Sequence, residues 1–132
     1  MYATNQGRVG GARTVICLVG AIALMTAIAP ISSVSAAGAE DEAKTLMSDR
    51  CAACHGENGD GHGPGSSYLV PPPKDFHNPE WQKSVTDKTL ATAIVQGGPA
   101  VGLSPSMPGN PDLADRPDVV AAIVKQIRAW GK

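Results

Sequence analysis

In three stretches of the chain, apolar residues recur every three or four positions, which is the period of an amphipathic helix. The first stretch runs from Glu40 to about Arg50 and leads directly into Cys51. The second runs from about Asp87 to Gln96, and the third from about Arg116 to Trp130. No stretch alternates apolar and polar residues as a half-buried strand would, so the pattern predicts an all-α domain with three to four short helices.

Residues at the ends of the last two stretches support these boundaries. Thr86 is a candidate N-cap of the second helix, and Gly97 follows its last turn as a stop signal. Asp115 is a candidate N-cap of the third helix, with Pro117 in its first turn. The third helix also has the most complete apolar stripe, which predicts the most deeply buried face of the domain.

A continuous apolar run, rather than a periodic one, occupies residues 14–29. Arginines precede it and small residues follow it, which is the pattern of a secretory signal peptide. We therefore expect residues 1–39 to be a signal peptide, cleaved after Ala36 or Ala39, and residues 40–132 to form the mature domain. An uncleaved membrane anchor is the alternative, although the run of 16 residues is slightly short for a spanning helix.

Removing the leader changes both the charge and the composition. Nine basic and twelve acidic residues remain, which gives a net charge of −3, and no Lys/Arg cluster indicates nucleic-acid binding. The mature domain keeps four aromatic side chains, Tyr68, Phe76, Trp81 and Trp130. Such a short chain lacks the large side chains that usually fill a core, so another group is expected to fill it.

Two segments between the helices, residues 56–73 and 97–111, are rich in Gly and Pro. This composition normally indicates disorder, because such segments bury too little to offset their conformational entropy. The alternative is that both loops are ordered by wrapping around a bound group.

Cys51-Ala52-Ala53-Cys54-His55 is the attachment pattern of a c-type haem. Its spacing lets two thiols form thioethers with the two vinyl groups of one haem, and places the next residue, His55, as an axial ligand of the iron. A disulfide or thioredoxin-like redox pair is usually found after a strand in a βαβ unit, and the sequence shows no such pattern. A zinc site would need two further ligands, which only His62 and His77 could supply, at spacings that match no known zinc pattern.

The second axial ligand has four candidates. Met107 lies in a Pro-bounded loop, as expected where a chain must hold a thioether rigidly against a metal, and is the favoured ligand. Met47 lies on the helix before the cysteines and is expected to pack in the core. His62 and His77 would give a bis-histidine iron, and solvent exposure is the alternative for both.

With CAACH followed by a Gly-rich loop, a middle helix, a Met loop and a final helix, residues 40–131 resemble the class I c-type cytochromes of bacteria. The resemblance implies the class I cytochrome c fold, in which short helices and Gly/Pro-rich loops surround one covalent haem c with its iron. It implies that the Pro64 carbonyl accepts a hydrogen bond from His55 Nδ1, and that Ala43 and Met47 pack against the last helix. Trp81 is either a haem propionate contact or a core residue.

The resemblance implies electron transport rather than catalysis, since filling both axial positions leaves the iron no site for substrate. We expect a monomeric periplasmic carrier whose redox protein partners the sequence does not identify. One alternative is a haem c subunit held in a respiratory or dehydrogenase complex, with membrane contact through that complex or through an uncleaved leader. Another is an enzyme in which Met107 is displaced and the haem reacts with peroxide or a small ligand.

Overall fold

The structure, a computed structural model, describes residues 36–132, and residues 1–35, with most of the expected signal peptide, lie outside the described part. Its helices are α1 (Ala36–Leu46), α2 (Ala52–His55), α3 (Pro79–Ser84), α4 (Asp87–Gln96) and α5 (Pro117–Trp130). A π-helical turn, Met47–Cys51, joins α1 to α2. Short 3-10 turns lie at Ser66–Tyr68, Gly98–Val101 and Pro111–Leu113. Residues 36–132 contain no strand, which agrees with the all-α prediction.

Helix α1 packs against α5, as the resemblance implied. Ala43 and Met47 on α1 are buried in the same apolar cluster as Ile123 and Ile127 on α5. Two ion pairs border this contact, Arg116 with Glu42 at 2.8 Å and Lys125 with Glu40 at 2.6 Å. The first and last helices of the described part are thus held together by apolar burial with charges at its edge.

Helix α4 has the predicted bounds and the predicted ends. The Thr86 hydroxyl accepts a hydrogen bond from the Thr89 N–H at 3.1 Å, which satisfies a donor that the first helical turn leaves without a partner. Gly97 ends the helix with a φ of +86°, a backbone conformation that favours glycine. Leu90, Ala93 and Ile94 form its buried face.

The predicted start of the last helix is wrong in one respect. Helix α5 begins at Pro117, and Arg116, not Asp115, occupies the N-cap position without a side-chain capping bond. The Arg116 guanidinium pairs instead with Glu42 of α1, and this pairing raises the pKa of the Arg116 guanidinium. The side chain at the N-cap position therefore makes a tertiary ion pair rather than a local capping bond.

Helix α3 was not predicted. It has only six residues, too few for an apolar period to be visible. Its start nevertheless carries a local signal, because the Asn78 side chain accepts hydrogen bonds from the N–H groups of Glu80 and Trp81, and Pro79 occupies the first helical position.

Within residues 36–132, no helix has the length and apolar character that crossing a bilayer requires.

Candidate cofactor site

The Gly-rich loop after the CAACH motif fixes the C-terminal end of α2. The last carbonyl groups of a helix lack partners inside the helix. Here backbone N–H groups of the following loop supply them, at 2.7–3.1 Å. The donor and acceptor pairs are Gly56 with Ala52, Gly65 with Ala53, Gly63 with Cys54, and Gly61 with His55.

Gly63 lies so close to α2 that a side chain would not fit. An added Cβ would lie 2.5 Å from the Ala53 carbonyl oxygen and 2.7 Å from the Ala53 carbonyl carbon. This close approach explains why the loop that surrounds the motif is rich in glycine. The composition reflects an ordered wrap around the helix end rather than disorder.

His55 Nδ1 lies 3.1 Å from the Lys74 carbonyl oxygen. The prediction that Pro64 supplies this carbonyl is therefore wrong, because the loop places Pro64 beside α2 and brings residues 71–74 to the imidazole. A carbonyl oxygen only accepts, so Nδ1 carries the proton and Nε2 keeps a lone pair for a metal. Burial lowers the pKa of His55, with the Lys74 hydrogen bond opposing it, so the neutral imidazole is favoured.

Phe76 lies behind His55 at the centre of an aromatic cluster. Its ring stacks on His55 with the centroids 4.5 Å apart, on Trp81 at 5.4 Å and on Trp130 at 5.7 Å. Gly59 lies against two of these rings, since an added Cβ would meet both Phe76 and Trp130 within 3 Å. Phe76 is itself buried, so its ring packs against one face of the imidazole and supports its orientation.

Trp81 belongs to this cluster and packs against the apolar core. It is not among the residues that line the cavity described below. The structure shows Trp81 packed in this cluster, and its contact with a haem propionate stays a prediction.

The Met107 loop rests on the end of α4. The Gly98 N–H donates to the Met107 carbonyl at 3.0 Å, and the Leu103 N–H donates to the Gly98 carbonyl at 2.8 Å. Contact this close requires glycine on both sides. A Cβ on Gly97 would lie 2.9 Å from the Met107 carbonyl oxygen, and one on Gly109 would lie 2.6 Å from the Val95 carbonyl oxygen.

Arg50 connects the segment before the CAACH motif to the far end of the Met107 loop. Its Nη1 lies 3.1 Å from Asn110 Oδ1, 3.0 Å from Asp112 Oδ1 and 2.9 Å from Asp112 Oδ2. Asn110 in turn donates from its amide to the Ile94 carbonyl of α4 at 2.8 Å. The two halves of the site are therefore joined by hydrogen bonds between residues about sixty positions apart.

These segments enclose a cavity of about 440 Å³ with mostly apolar walls. Cys51, Cys54, His55 and Met107 all line it. The rest of the lining comes from the two Gly/Pro-rich loops, from Arg50 and from Lys74. A larger groove, of about 670 Å³, lies between α4 and α5, but no cysteine, histidine or methionine lines it.

The competing ligands lie elsewhere. Met47 is buried in the α1–α5 core, as predicted. His62 is 85% exposed, with Nδ1 2.8 Å from the Asp60 carbonyl oxygen. His77 Nε2 lies 2.8 Å from the Asn58 carbonyl oxygen. Neither of these two histidines lines the cavity.

The two cysteines are half-buried and not joined to each other. Burial raises the pKa of the Cys51 thiol, so this cysteine lacks the lowered pKa of a redox-active pair. In the described part of the chain, no group of three or more His, Cys, Asp and Glu residues is placed to hold a metal. These observations favour neither the thioredoxin-like nor the zinc interpretation.

The cavity fits a large flat apolar group with a metal at its centre. It offers two thiols for covalent attachment, a neutral imidazole and a thioether, between loops that bury apolar surface. A helical domain with this site is of the class that binds haem covalently.

The comparison with protein families identifies the class. Residues 40–125 match the family model described as Cytochrome c, which spans more than half of the chain. The chain therefore belongs to the cytochrome c family, and its cofactor is a covalent haem c, for which Cys51 and Cys54 have the spacing of the family's CxxCH motif. Searches of curated proteins and of solved structures returned no significant match.

Sequence reasoning missed Arg50, Asp112 and Lys74. Arg50 had one local signal, its position directly before Cys51, which places it at the site. The backbone carbonyl of Lys74 had none, because every residue has such a group.

Proposed function

We propose that this protein carries single electrons, with Cys51 and Cys54 attaching the haem and with His55 and Met107 as its axial ligands. One observation carries the proposal: Met107 lines the same cavity as the CAACH motif, whereas His62, His77 and Met47 do not. Family membership supports haem-based electron transfer in general.

The bound haem supplies a one-electron couple between ferric and ferrous iron. The chain's own groups set the conditions for that couple. The hydrogen bond from Nδ1 to the Lys74 carbonyl fixes the imidazole and its basicity as a ligand. The thioether of Met107 favours the reduced iron and raises the potential. Leu69, Leu103 and several prolines of the two loops give the cavity a mostly apolar lining.

We propose that the protein is not an enzyme. Occupation of both axial positions would leave no coordination site for substrate, and the loop that carries Met107 is held by hydrogen bonds at Gly98 and through Arg50. An enzyme that reacts with peroxide would need this loop to open.

We also propose export to the periplasm with cleavage after Ala36 rather than Ala39. Ala39 is 3% exposed and belongs to the α1–α5 core, so a cut after Ala39 would remove a core residue. The cleaved protein would be a monomeric carrier in the periplasm, for example of a respiratory chain.

A permanently bound or membrane-anchored subunit of a larger complex is the second candidate, and the apolar run of residues 14–29 is the observation that favours it.

The first test is expression with a haem maturation system, followed by denaturing electrophoresis. Haem that stays with the polypeptide is the expected result, and its loss in a Cys51→Ala, Cys54→Ala variant is the control. A holoprotein without covalent haem would contradict the proposal.

The second test concerns the ligand. We expect the ferric protein to show the charge-transfer band of a Met–iron bond, and Met107→Ala to lose it. Met47→Leu is the matched control, because it changes the buried methionine of α1 and should keep the band. An unchanged spectrum in Met107→Ala would overturn the ligand assignment.

N-terminal sequencing of the exported protein decides between cleavage and a retained anchor.

A further inference from the structure

The mouth of the cavity is bordered by two loops that carry no charge. Residues 61–73 and residues 97–111 contain no Asp, Glu, Lys or Arg, although the rest of residues 40–132 holds nine basic and twelve acidic residues. Parts of both segments line the cavity. The absence of charge is therefore concentrated around the proposed electron-transfer site.

These same loops carry the exposed apolar side chains. In residues 36–132, the exposed large hydrophobic residues are Tyr68 at 91%, Val70 at 90% and Leu103 at 43%. Tyr68 and Val70 flank Leu69, which lines the cavity, and Leu103 also lines it. We call these four residues the uncharged rim. Exposed apolar side chains grouped around a functional cavity are typical of a docking surface.

Two charged residues, Arg50 and Lys74, line the cavity. Neither makes the surface around the cavity strongly charged. Arg50 shares its guanidinium with the carboxylate of Asp112 at 2.9 Å, so the pair carries no net charge. Lys74 is exposed and directly follows the first loop, residues 61–73. A ring of positive charge around the cavity is therefore absent from the described part of the chain.

We propose that the uncharged rim docks a redox partner protein through an apolar patch that itself lacks charged side chains. This inference rests on the proposed electron-transfer function and names the partner's surface chemistry. A charged partner surface would be desolvated against the rim without gaining an opposite charge. An apolar patch on the partner would bury Tyr68, Val70 and Leu103. Docking there would bring the redox groups of the two proteins close together.

The proposal predicts how association depends on salt. Encounters steered by charge slow steeply as ionic strength rises, whereas apolar docking does not depend on opposite charges. The contact is expected to be small, below about 1,200 Å², as electron-transfer encounters usually are. Release would then be fast enough for a carrier.

Electron self-exchange tests the rim with a second copy of this chain as the probe, because each copy presents the same apolar surface. One electron passes from the ferrous to the ferric copy, so reactants and products are identical. The rate is measured from the broadening of haem methyl resonances in mixtures of the two oxidation states. Between about 0.1 and 1 M salt, we expect the rate to change by less than about twofold.

Val70→Lys places a positive charge on the uncharged rim of each copy, so the two copies repel each other where they meet. It is expected to slow self-exchange on the order of tenfold at 0.1 M salt, and added salt should restore most of the rate. Ala121→Lys is the matched control, because Ala121 is exposed and lines the groove between α4 and α5. This control should stay within about twofold of the wild type. Tyr68→Ser removes apolar area without adding charge and should slow exchange several-fold at every salt concentration.

Equal slowing by Val70→Lys and Ala121→Lys would overturn the docking proposal. So would a wild-type rate that rises more than about fivefold with salt. The spectrum separates this failure from failure of the proposed function: a docking failure leaves the Met–iron band and the covalent haem intact, whereas a functional failure removes one of them.

Discussion

Arg50 Nη1 contacts both carboxylate oxygens of Asp112, at 2.9 and 3.0 Å, and so joins the haem-attachment segment to the chain that follows the Met107 loop. The two side chains are 43% and 53% exposed, which limits what the pair contributes to overall stability. Its position gives it a more specific role. It ties the segment before Cys51 to the chain just after the Met107 loop.

Asp112→Asn keeps the size of the side chain but removes the negative charge that pairs with Arg50. We expect it to loosen the Met107 loop. Weakening an exposed pair of this kind costs on the order of 0.2–1 kcal/mol, so imidazole should displace the methionine about 1.4- to 5-fold more readily. Titration with imidazole, followed at the Met–iron band, measures the effect. Lys44→Gln breaks the exposed Lys44–Asp41 pair on α1 and should leave the titration unchanged. Identical titrations for all three proteins would rule out this role for Arg50.

Gly98→Ala is expected to destabilise the folded holoprotein by about 1–3 kcal/mol, as overpacking does. The new Cβ would overlap the Ser104 carbonyl and lie 3.2 Å from Met107 Cβ. Gly102→Ala is the control, because no atom lies within 4 Å of its added Cβ and only its φ of +72° opposes alanine, at about 1–2 kcal/mol. Guanidinium unfolding compares their stabilities. The Met–iron band should weaken only in Gly98→Ala, and a larger spectral effect of Gly102→Ala would contradict this explanation.

Asn78→Ala is expected to lower the free energy of unfolding by about 0.5–2 kcal/mol, because it leaves the N–H groups of Glu80 and Trp81 without their side-chain acceptor. Asn78→Asp keeps an acceptor at the same place and should retain most of the stability. Urea unfolding of the three proteins checks both expectations. If Asp and Ala were equally destabilising, the capping bond would not be the cause.

The Glu40–Lys125 pair should make the α1–α5 contact sensitive to acid. The Lys125 hydrogen bond, with its charge, lowers the pKa of Glu40 below the usual 4.5. A lowered pKa in the folded state means that the pair stabilises the fold above the unfolded pKa and is lost as pH falls through the folded pKa. The difference in melting temperature between wild type and Glu40→Gln should therefore be present at pH 7 and shrink below pH 4.5.

Glu80→Gln controls for the loss of one negative charge, because Glu80 is an exposed acid at the start of α3. A difference for Glu40→Gln that grew as the pH fell would show that the ion pair is not responsible.

Local features of the chain were predictable, because their causes lie within a few residues. The bounds of α4 follow from Thr86 and Gly97, which act on the adjacent turns. The covalent attachment site likewise depends on the spacing of Cys51, Cys54 and His55 alone. In these places, the physical reason for the structure can be read directly in neighbouring sequence.

Features that depend on tertiary contact were not predictable in the same way. The Lys74 carbonyl bonds to an imidazole 19 positions earlier, and the identity of residue 74 has no part in that bond. Arg50 and Asp112 are 62 positions apart. Asp115 has the right side chain for a cap, yet Arg116 occupies the cap position, and its guanidinium pairs with Glu42 on another helix.

The hydrogen bonds that end α2 have a consequence for the order in which the domain is made. Every donor to the carbonyls of residues 52–55 comes from later in the chain, as far as Gly65, and the acceptor for His55 comes later still, at Lys74. When the chain is delivered from its N-terminus, both cysteines arrive before the residues that will hold them. Until those residues follow, the carbonyl groups of residues 52–55 and the His55 Nδ1–H lack these partners, so we expect the attachment peptide to be accessible before the domain closes around it.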